Sequence, residues 1–274
     1  MRQVRLHGPG GVERGVVDGA VVVTASGARI EALNVQTLAL PAPYRLLLPV
    51  EPLEVWCAGV TYERSRDARI EESGSDIYAL VYEADRPELF LKDAACRRTV
   101  GPFERVGVRS DSTWNVPEPE IGLVLGARGA IAGLTIGNDV SSRDIEGANP
   151  LYLPQAKVYA GACALGPAVY VPDDLDAPLA IELRIAGTDG TELFRGETST
   201  ARMKRSFTEL VDYLLRDNPV PAGSVLLTGT GVVPPDDFTL EPGHRVEIHV
   251  PEIGTLVNTV ALATDLLERS PTHV

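Results

Sequence analysis

Cysteine is scarce in this chain: Cys57, Cys96 and Cys163 among 274 residues. They are widely spaced and odd in number, so neither a disulfide framework nor a zinc-binding pattern is expected. They read as small core residues of a cytosolic protein. Long apolar runs are missing too. No stretch reaches the ~18 residues of a membrane-spanning helix. The opening MRQVRLHGPGG lacks the apolar core of a signal peptide. The four histidines, His7, His244, His249 and His273, form no H-E-x-x-H or similar zinc motif. No glycine pattern opens a helix as a P-loop or dinucleotide fold requires, so phosphate or nicotinamide binding is not expected. Positive charge is the last shortage. Lys and Arg number 25 against 38 Asp and Glu, a formal net charge of −13. Nucleic acids and anionic membranes need concentrated positive charge, so neither is expected as a partner. A small anionic substrate remains compatible, because one site can oppose the sign of the whole.

What is present suits a strand-rich protein. The length allows one large domain, or one domain with a small appendage. Residues 1–50 contain short β-branched runs broken by glycine-rich turns, as in VRLHGPGGVERGVVDGAVVVTA. The proline-rich LPAPYRLLLPVEP then reads as a connector. The expected division is a small N-terminal β domain over 1–50 and a larger domain over 51–274. Within the latter, VWCAGVTY, LFLK, EIGLVLG, GLTIGNDV, AIELRIAG, SVLLTGTG, RVEIHV and GTLVNTVAL read as strands. TYERSRDARIEES is polar and reads as a helix or a loop. RSFTELVDYLLRDNP predicts a helix. Ser206 and Glu209 fit a capping box, Phe207, Leu210, Val211, Leu214 and Leu215 form one apolar stripe, and Asn218-Pro219 ends it. The fold class is α+β with mixed sheets.

Five features could carry chemistry. In WNVPEPEIGLVLG, Glu118 and Glu120 are two apart at the mouth of an apolar run. In an extended chain they share a face, where like charges conflict unless a cation intervenes; a solvated strand end is the alternative. In GNDVSSRDIEG, Asp139 follows an apolar strand, or else Asn138 and Asp139 cap their own turn. Lys157, in YLPQAKVYAG, either snorkels to the surface or sits in a pocket. Thr230, between Gly229 and Gly231, offers a hydroxyl to a ligand or belongs to a turn. In PELFLKD, Glu88 and Lys92 flank Leu89, Phe90 and Leu91 as pocket groups or as a charged strand rim. Three carboxylates make a hard oxygen site suited to Mg2+ or Mn2+. A 2-oxo acid chelated there would have its carbonyl polarised and C3 enolisation favoured, with Lys157 placed to stabilise the enolate oxygen.

These motifs, in this order, resemble the fumarylacetoacetate hydrolase family: Glu118-Pro119-Glu120, then Asn138-Asp139-Val140-Ser141-Ser142-Arg143-Asp144, then Lys157, then Gly229-Thr230-Gly231. The resemblance spans roughly residues 55–263. It implies a mixed β-roll behind a small N-terminal domain, Mg2+ on Glu118, Glu120 and Asp139, the family's lysine at Lys157 and its substrate-contacting threonine at Thr230. It also implies at least a dimer, a homodimer or homotetramer. Members of the family include C–C hydrolases, decarboxylases, isomerases and sugar-acid dehydratases, so the site must decide. Where hydrolase and decarboxylase members carry a His and a Glu, this chain has Ser65 and Ala68, with Glu71 or Glu72 as possible substitutes. The family's frequent glutamine after R-D-x is Glu146 here. SSRDIEGANPLYLPQAKVY and LLTGTGVVPPDDFTL resemble the sugar-acid dehydratase branch. The implied reaction is dehydration of a 2-keto-3-deoxy pentonate to 2,5-dioxopentanoate. Glu88 is the candidate acid/base, its pKa raised by burial. Arg143 is either a partner for the substrate carboxylate or half of an ion pair with Asp144. The rival activities are a hydrolase or isomerase acting on an acylpyruvate or aromatic-degradation product, and a non-catalytic 2-oxo acid binder.

Overall fold

The computed structural model describes residues 1–64 and 77–267. Ser65, Ala68, Glu71 and Glu72 lie outside the described residues. Five strands occupy the first fifty positions: β1 (Arg2–Gly8), β2 (Gly11–Asp18), β3 (Val21–Thr24), β4 (Arg29–Glu31) and β5 (Arg45–Leu46). The first four form an antiparallel meander. Its small core is Val4, Leu6, Val22, Ile30, Leu38 and Leu46, with Ala168. This unit is not isolated by hydrogen bonding. β1 pairs with β14 (Cys163–Tyr170), with Arg2 opposite Tyr170 and Gln3 opposite Val169. Thr255 N–H donates to Gln36 O at 2.8 Å.

The larger sheet continues from β14 through β12 (Ile131–Asp139), β11 (Pro119–Leu125), β17 (Val225–Leu227) and β6 (Glu54–Gly59) to β7 (Glu88–Ala94). β17 inserts between β11 and β6, antiparallel to the first and parallel to the second. β8 (Thr99–Val100) pairs with β14. The second sheet runs β16 (Glu192–Ser199), β15 (Ala180–Ala186), β18 (Arg245–Val250), β19 (Gly254–Leu262), β9 (Arg105–Val108). β10 (Asn115–Val116) and β13 (Ser141–Ser142) make a short separate ladder. Mixed sheets with few helices are what the strand-rich α+β reading expects. No described helix is long and apolar enough to cross a membrane.

β11 explains why the apolar run after Glu120 is continuous. Ile121, Leu123 and Leu125 pack into the core between the two sheets. Gly122 and Val124 face the other way, toward a second cluster of Val55, Cys57, Cys163, Leu165, Val225 and Leu227. Side chains alternate along a strand, so Glu118 and Glu120 belong with Gly122 and Val124 on that second face. The sheet curls around it. Adjacent strands lie ~4.8 Å apart, so β7 and β12, four steps apart, would be separated by roughly 19 Å in a flat sheet. Instead Lys92 of β7 touches Asp139 at the end of β12.

The expected helix is present as Phe207–Leu215. Ser206 Oγ accepts from Glu209 N–H at 3.1 Å, and Phe207, Leu210, Val211 and Leu214 are buried. The Glu209 carboxylate accepts from Arg205 rather than closing the box. All eight expected strands appear. β14, in CALGPAVY, was not expected, because proline cannot donate to a sheet ladder. Pro167 is accommodated where the β12–β14 register shifts, between the pairs Ile136–Gly166 and Leu134–Tyr170. One cysteine differs from expectation. Cys57 and Cys163 are buried, but Cys96 is only partly covered. It sits in the turn leaving β7, where Ala95 and Cys96 adopt φ of 57° and 52°.

Candidate active site

The antiparallel register of β11 and β12 sets Pro119 opposite Asn138 and Glu120 opposite Gly137. Just beyond it, Asp139 N–H donates to Glu118 O at 3.0 Å, and Glu118 N–H donates to Asn138 Oδ1 at 3.2 Å. Asn138 therefore bonds across the ladder instead of capping its own turn. The carboxylates of Glu118, Glu120 and Asp139 converge, each offering an oxygen within 4.8 Å of the others. None is a solvated strand end: their exposures are 4%, 1% and 1%.

Cations are built in around them. Lys157 closes a short helix, Leu153–Lys157, and is buried rather than snorkelling. Its Nζ donates to Glu118 Oε2 at 2.9 Å, Asp139 Oδ2 at 3.0 Å and Ser141 Oγ at 2.6 Å. Arg143 Nη2 pairs with Glu118 Oε1 at 3.0 Å. Lys92 Nζ pairs with Asp139 Oδ1 and donates to Val140 O at 3.0 Å. Glu120 is different. Among the described residues it has no salt bridge, and its Oε2 accepts from Gly229 N–H at 2.6 Å. Burial pushes its pKa well up, reinforced by the charges of Asp139 and Glu118 and opposed by Lys157 and the Gly229 N–H.

A small cavity opens onto the cluster. Glu88, Phe90, Glu118, Glu120, Asp139, Glu146, Lys157 and Thr230 are among its walls. Glu88 is half-buried, less covered than the sequence reading expects. It stands opposite Gly59 in the β6–β7 ladder, and its carboxylate folds over Gly59 into space that a Cβ would fill. Gly229 has φ of +90°, and a Cβ there would collide with Thr61 Oγ1. Thr230 lines the cavity and also belongs to a turn, its Oγ1 accepting from Val232 N–H at 3.2 Å.

Of the two readings of Arg143, the ion pair with Asp144 is not borne out: the Asp144 carboxylate accepts instead from Ser112 Oγ at 2.6 Å and Thr113 N–H at 2.7 Å. Arg143 is buried, is not among the cavity walls, and braces Glu118. Sequence reasoning left Lys92 as possible strand rim and passed over Phe90 as a pocket group. The signal was there: Glu88, Phe90 and Lys92 lie at i, i+2 and i+4, hence on one face. Ser141 lay unremarked as a site group within the same N-D-x-S-x-R-D-x-E stretch, where Glu146 was noted only as standing in place of the family's glutamine.

Comparison with known proteins gives three results. The family profile for the fumarylacetoacetate (FAA) hydrolase C-terminal region matches residues 54–261. Two curated relatives are similar: a probable 2-keto-3-deoxyxylonate dehydratase of Haloferax volcanii, 52% identical over 215 residues, 78% of this chain and 74% of that protein, and a 2-dehydro-3-deoxy-D-arabinonate dehydratase of Saccharolobus solfataricus, 45% identical over 222 residues, 79% and 74% respectively. Among solved structures, 2-keto-3-deoxy-D-arabinonate dehydratase complexed with magnesium and 2,5-dioxopentanoate matches at a TM-score of 0.84, with 37% identity over 96% of this chain and 99% of that one.

Proposed function

Since the chain belongs to the fumarylacetoacetate hydrolase family, we propose that it is a Mg2+-dependent hydro-lyase converting a 2-keto-3-deoxy pentonate, 2-keto-3-deoxy-D-arabinonate, to 2,5-dioxopentanoate. The observation that carries this reading is the convergence of three buried carboxylates, a buried lysine and Glu88 on one cavity. The substrate class follows from the two dehydratases at 45% and 52% identity. Glu118, Glu120 and Asp139 are the residues that would hold the cation; three clustered carboxylates are a hard oxygen donor set, which fits Mg2+. Bound there, Mg2+ supplies Lewis acidity toward the 2-oxo group and acidifies the C3 protons.

The chain's own groups supply the rest. Glu88 takes a proton from C3 as general base. Negative charge grows on the C2 oxygen, and Lys157 stabilises it electrostatically. The electron pair then expels the C4 hydroxyl, which leaves as water with the proton that Glu88 had taken. The enone that remains loses a proton from C5 and gains one at C3, giving the C4=C5 enol, which then loses its O5 proton and gains one at C4 to end as the 5-aldehyde. Thr230 contacts the substrate through the cavity wall it forms. Arg143, offered by the resemblance as a carboxylate partner, is better read as positioning Glu118. The catalytic unit is residues 51–274; residues 1–50, a small N-terminal β domain, contribute no cavity wall. The setting we infer is the cytoplasm, in a homodimer or homotetramer, which sedimentation would check.

The test is turnover with Mg2+ in D2O, followed by NMR and mass, on the pentonate and on an acylpyruvate side by side. The expected product is the pentonate minus water, carrying deuterium, with an aldehyde that a semialdehyde dehydrogenase oxidises. Cleavage of the acylpyruvate into two acids, with the pentonate untouched, would replace this reading with the hydrolase one. Oxalate binding without turnover of any 2-oxo acid would replace it with a non-catalytic binder.

A further inference from the structure

Lys92 is fully buried, at 0% exposure, yet the proposed chemistry gives it no task. Its strand, β7, is the edge of the larger sheet, hydrogen-bonded among the described strands to β6 alone. Across the interior of the curl its Nζ meets the Asp139 carboxylate, donates to Val140 O at 3.0 Å and lies 5.9 Å from the Tyr159 ring centroid. Burying an ammonium costs several kcal/mol, so a carboxylate partner is needed somewhere. The partner here is a member of the carboxylate cluster itself. A positive charge placed against that cluster opposes any cation that binds there, and the opposition is strong in a buried setting. A site built only to hold a divalent ion tightly would not include it.

The charge count suggests what it does. The formal charges of Glu118, Glu120 and Asp139 are matched one for one by Lys92, Lys157 and Arg143, each of which touches the cluster. Glu88 and Glu146, also on the cavity wall, are not part of the cluster. A divalent cation therefore leaves this inner set with two positive charges, inside a protein whose net charge is −13. An anion entering the cavity is attracted there even though the protein as a whole repels it.

We propose that Lys92 is a positioning residue that acts through Asp139: it lowers the affinity of the cluster for a divalent cation and raises the affinity of the loaded site for a 2-oxo acid anion. The inference rests on reading the three carboxylates as the cation site. It is tested by calorimetry without turnover, first with Mg2+ on chelator-treated protein, then with oxalate on the Mg2+-saturated protein. Lys92→Met should bind Mg2+ roughly tenfold or more tightly than the parent and oxalate roughly tenfold or more weakly. Lys92→Arg, which keeps the charge, should stay within about twofold of the parent on both. If Lys92→Met does not fold, Lys92→Gln takes its place. Weaker Mg2+ binding together with a lowered Tm would make Lys92 a mere brace and overturn the proposal; so would unchanged affinities, or a Lys92→Arg protein that behaves like the neutral variant. Failure of the parent itself to bind Mg2+ would instead sink the functional reading.

Discussion

Glu120 is the member of the cluster on which charge is least compensated: its partner is a backbone N–H, whereas Glu118 and Asp139 each meet buried cations. Its raised pKa has a stability consequence in chelator-treated protein. The folded chain keeps a proton on Glu120 at pH values where the unfolded chain, with a carboxyl near ~4.3, has released it. The folded state then binds more protons, so stability falls as pH rises from that value through the raised one. Glu120→Gln should abolish this fall in melts taken in EDTA between pH 5 and 8, and should lose Mg2+ affinity by calorimetry while staying folded. Equal Mg2+ affinity would remove Glu120 from the ligands. Lys157→Ala should lower kcat by roughly 10²-fold or more with a smaller change in KM, because the charge it stabilises appears only on the way to the transition state. Near-parental kcat in steady-state kinetics would leave Lys157 as a counter-ion alone. At this scale the carboxylates were legible only from the ordered set of motifs, because E-x-E by itself reads as a solvated strand end, whereas the structure buries all three together. The sequence was uninformative about Arg143, whose choice between Asp144 and Glu118 depends on where β10 and β13 carry Ser112 and Thr113.

At the scale of elements, the β6–β7 ladder makes a testable claim. Gly59 faces Glu88 across it, and the space above Gly59 holds the Glu88 carboxylate. Gly59→Ala should push that flexible side chain aside without disturbing the backbone. The expected result is a drop in kcat of about tenfold or more with Mg2+ affinity unchanged, since Glu88 is the proposed acid/base and not a cation ligand. Loss of Mg2+ affinity in the same variant, read by calorimetry, would mean that Glu88 helps hold the cation. Strands and the capped helix at Phe207–Leu215 were legible because alternation, apolar striping and Ser206 are local signals. β14 was not, since Pro167 argues against a central strand and only the register shift against β12 permits it. The reach of Lys92 to Asp139 was hidden for a different reason: it depends on the curl of a sheet whose strand order no local pattern encodes.

At the scale of the whole molecule, residues 1–50 and the rest share hydrogen bonds but not the cavity. A chain beginning at residue 51 would leave Val171 and the β1-facing edge of β14 without partners, along with Thr255 N–H. We expect that protein to melt at lower temperature and to associate through the bared strand edge. Its soluble fraction should bind Mg2+ like the parent, because every cavity wall lies at residue 58 or beyond. Altered affinity in that fraction, by calorimetry, would show that the N-terminal strands shape the site from outside. The pairing of β1 with β14, joining positions almost 170 residues apart, was not legible in the sequence. The strand order also dictates when the protein can be made whole. β17 fills the gap between β11 and β6, and β19 the gap between β18 and β9. Each is the last strand, in chain order, of the sheet it completes. Until then each sheet has an open seam, and Gly229, which steadies Glu120, has not been synthesised. The larger sheet therefore closes only after Val225–Leu227 has been made, and until then the nascent chain, with its unpaired strands, is a natural client for chaperones that shield such edges.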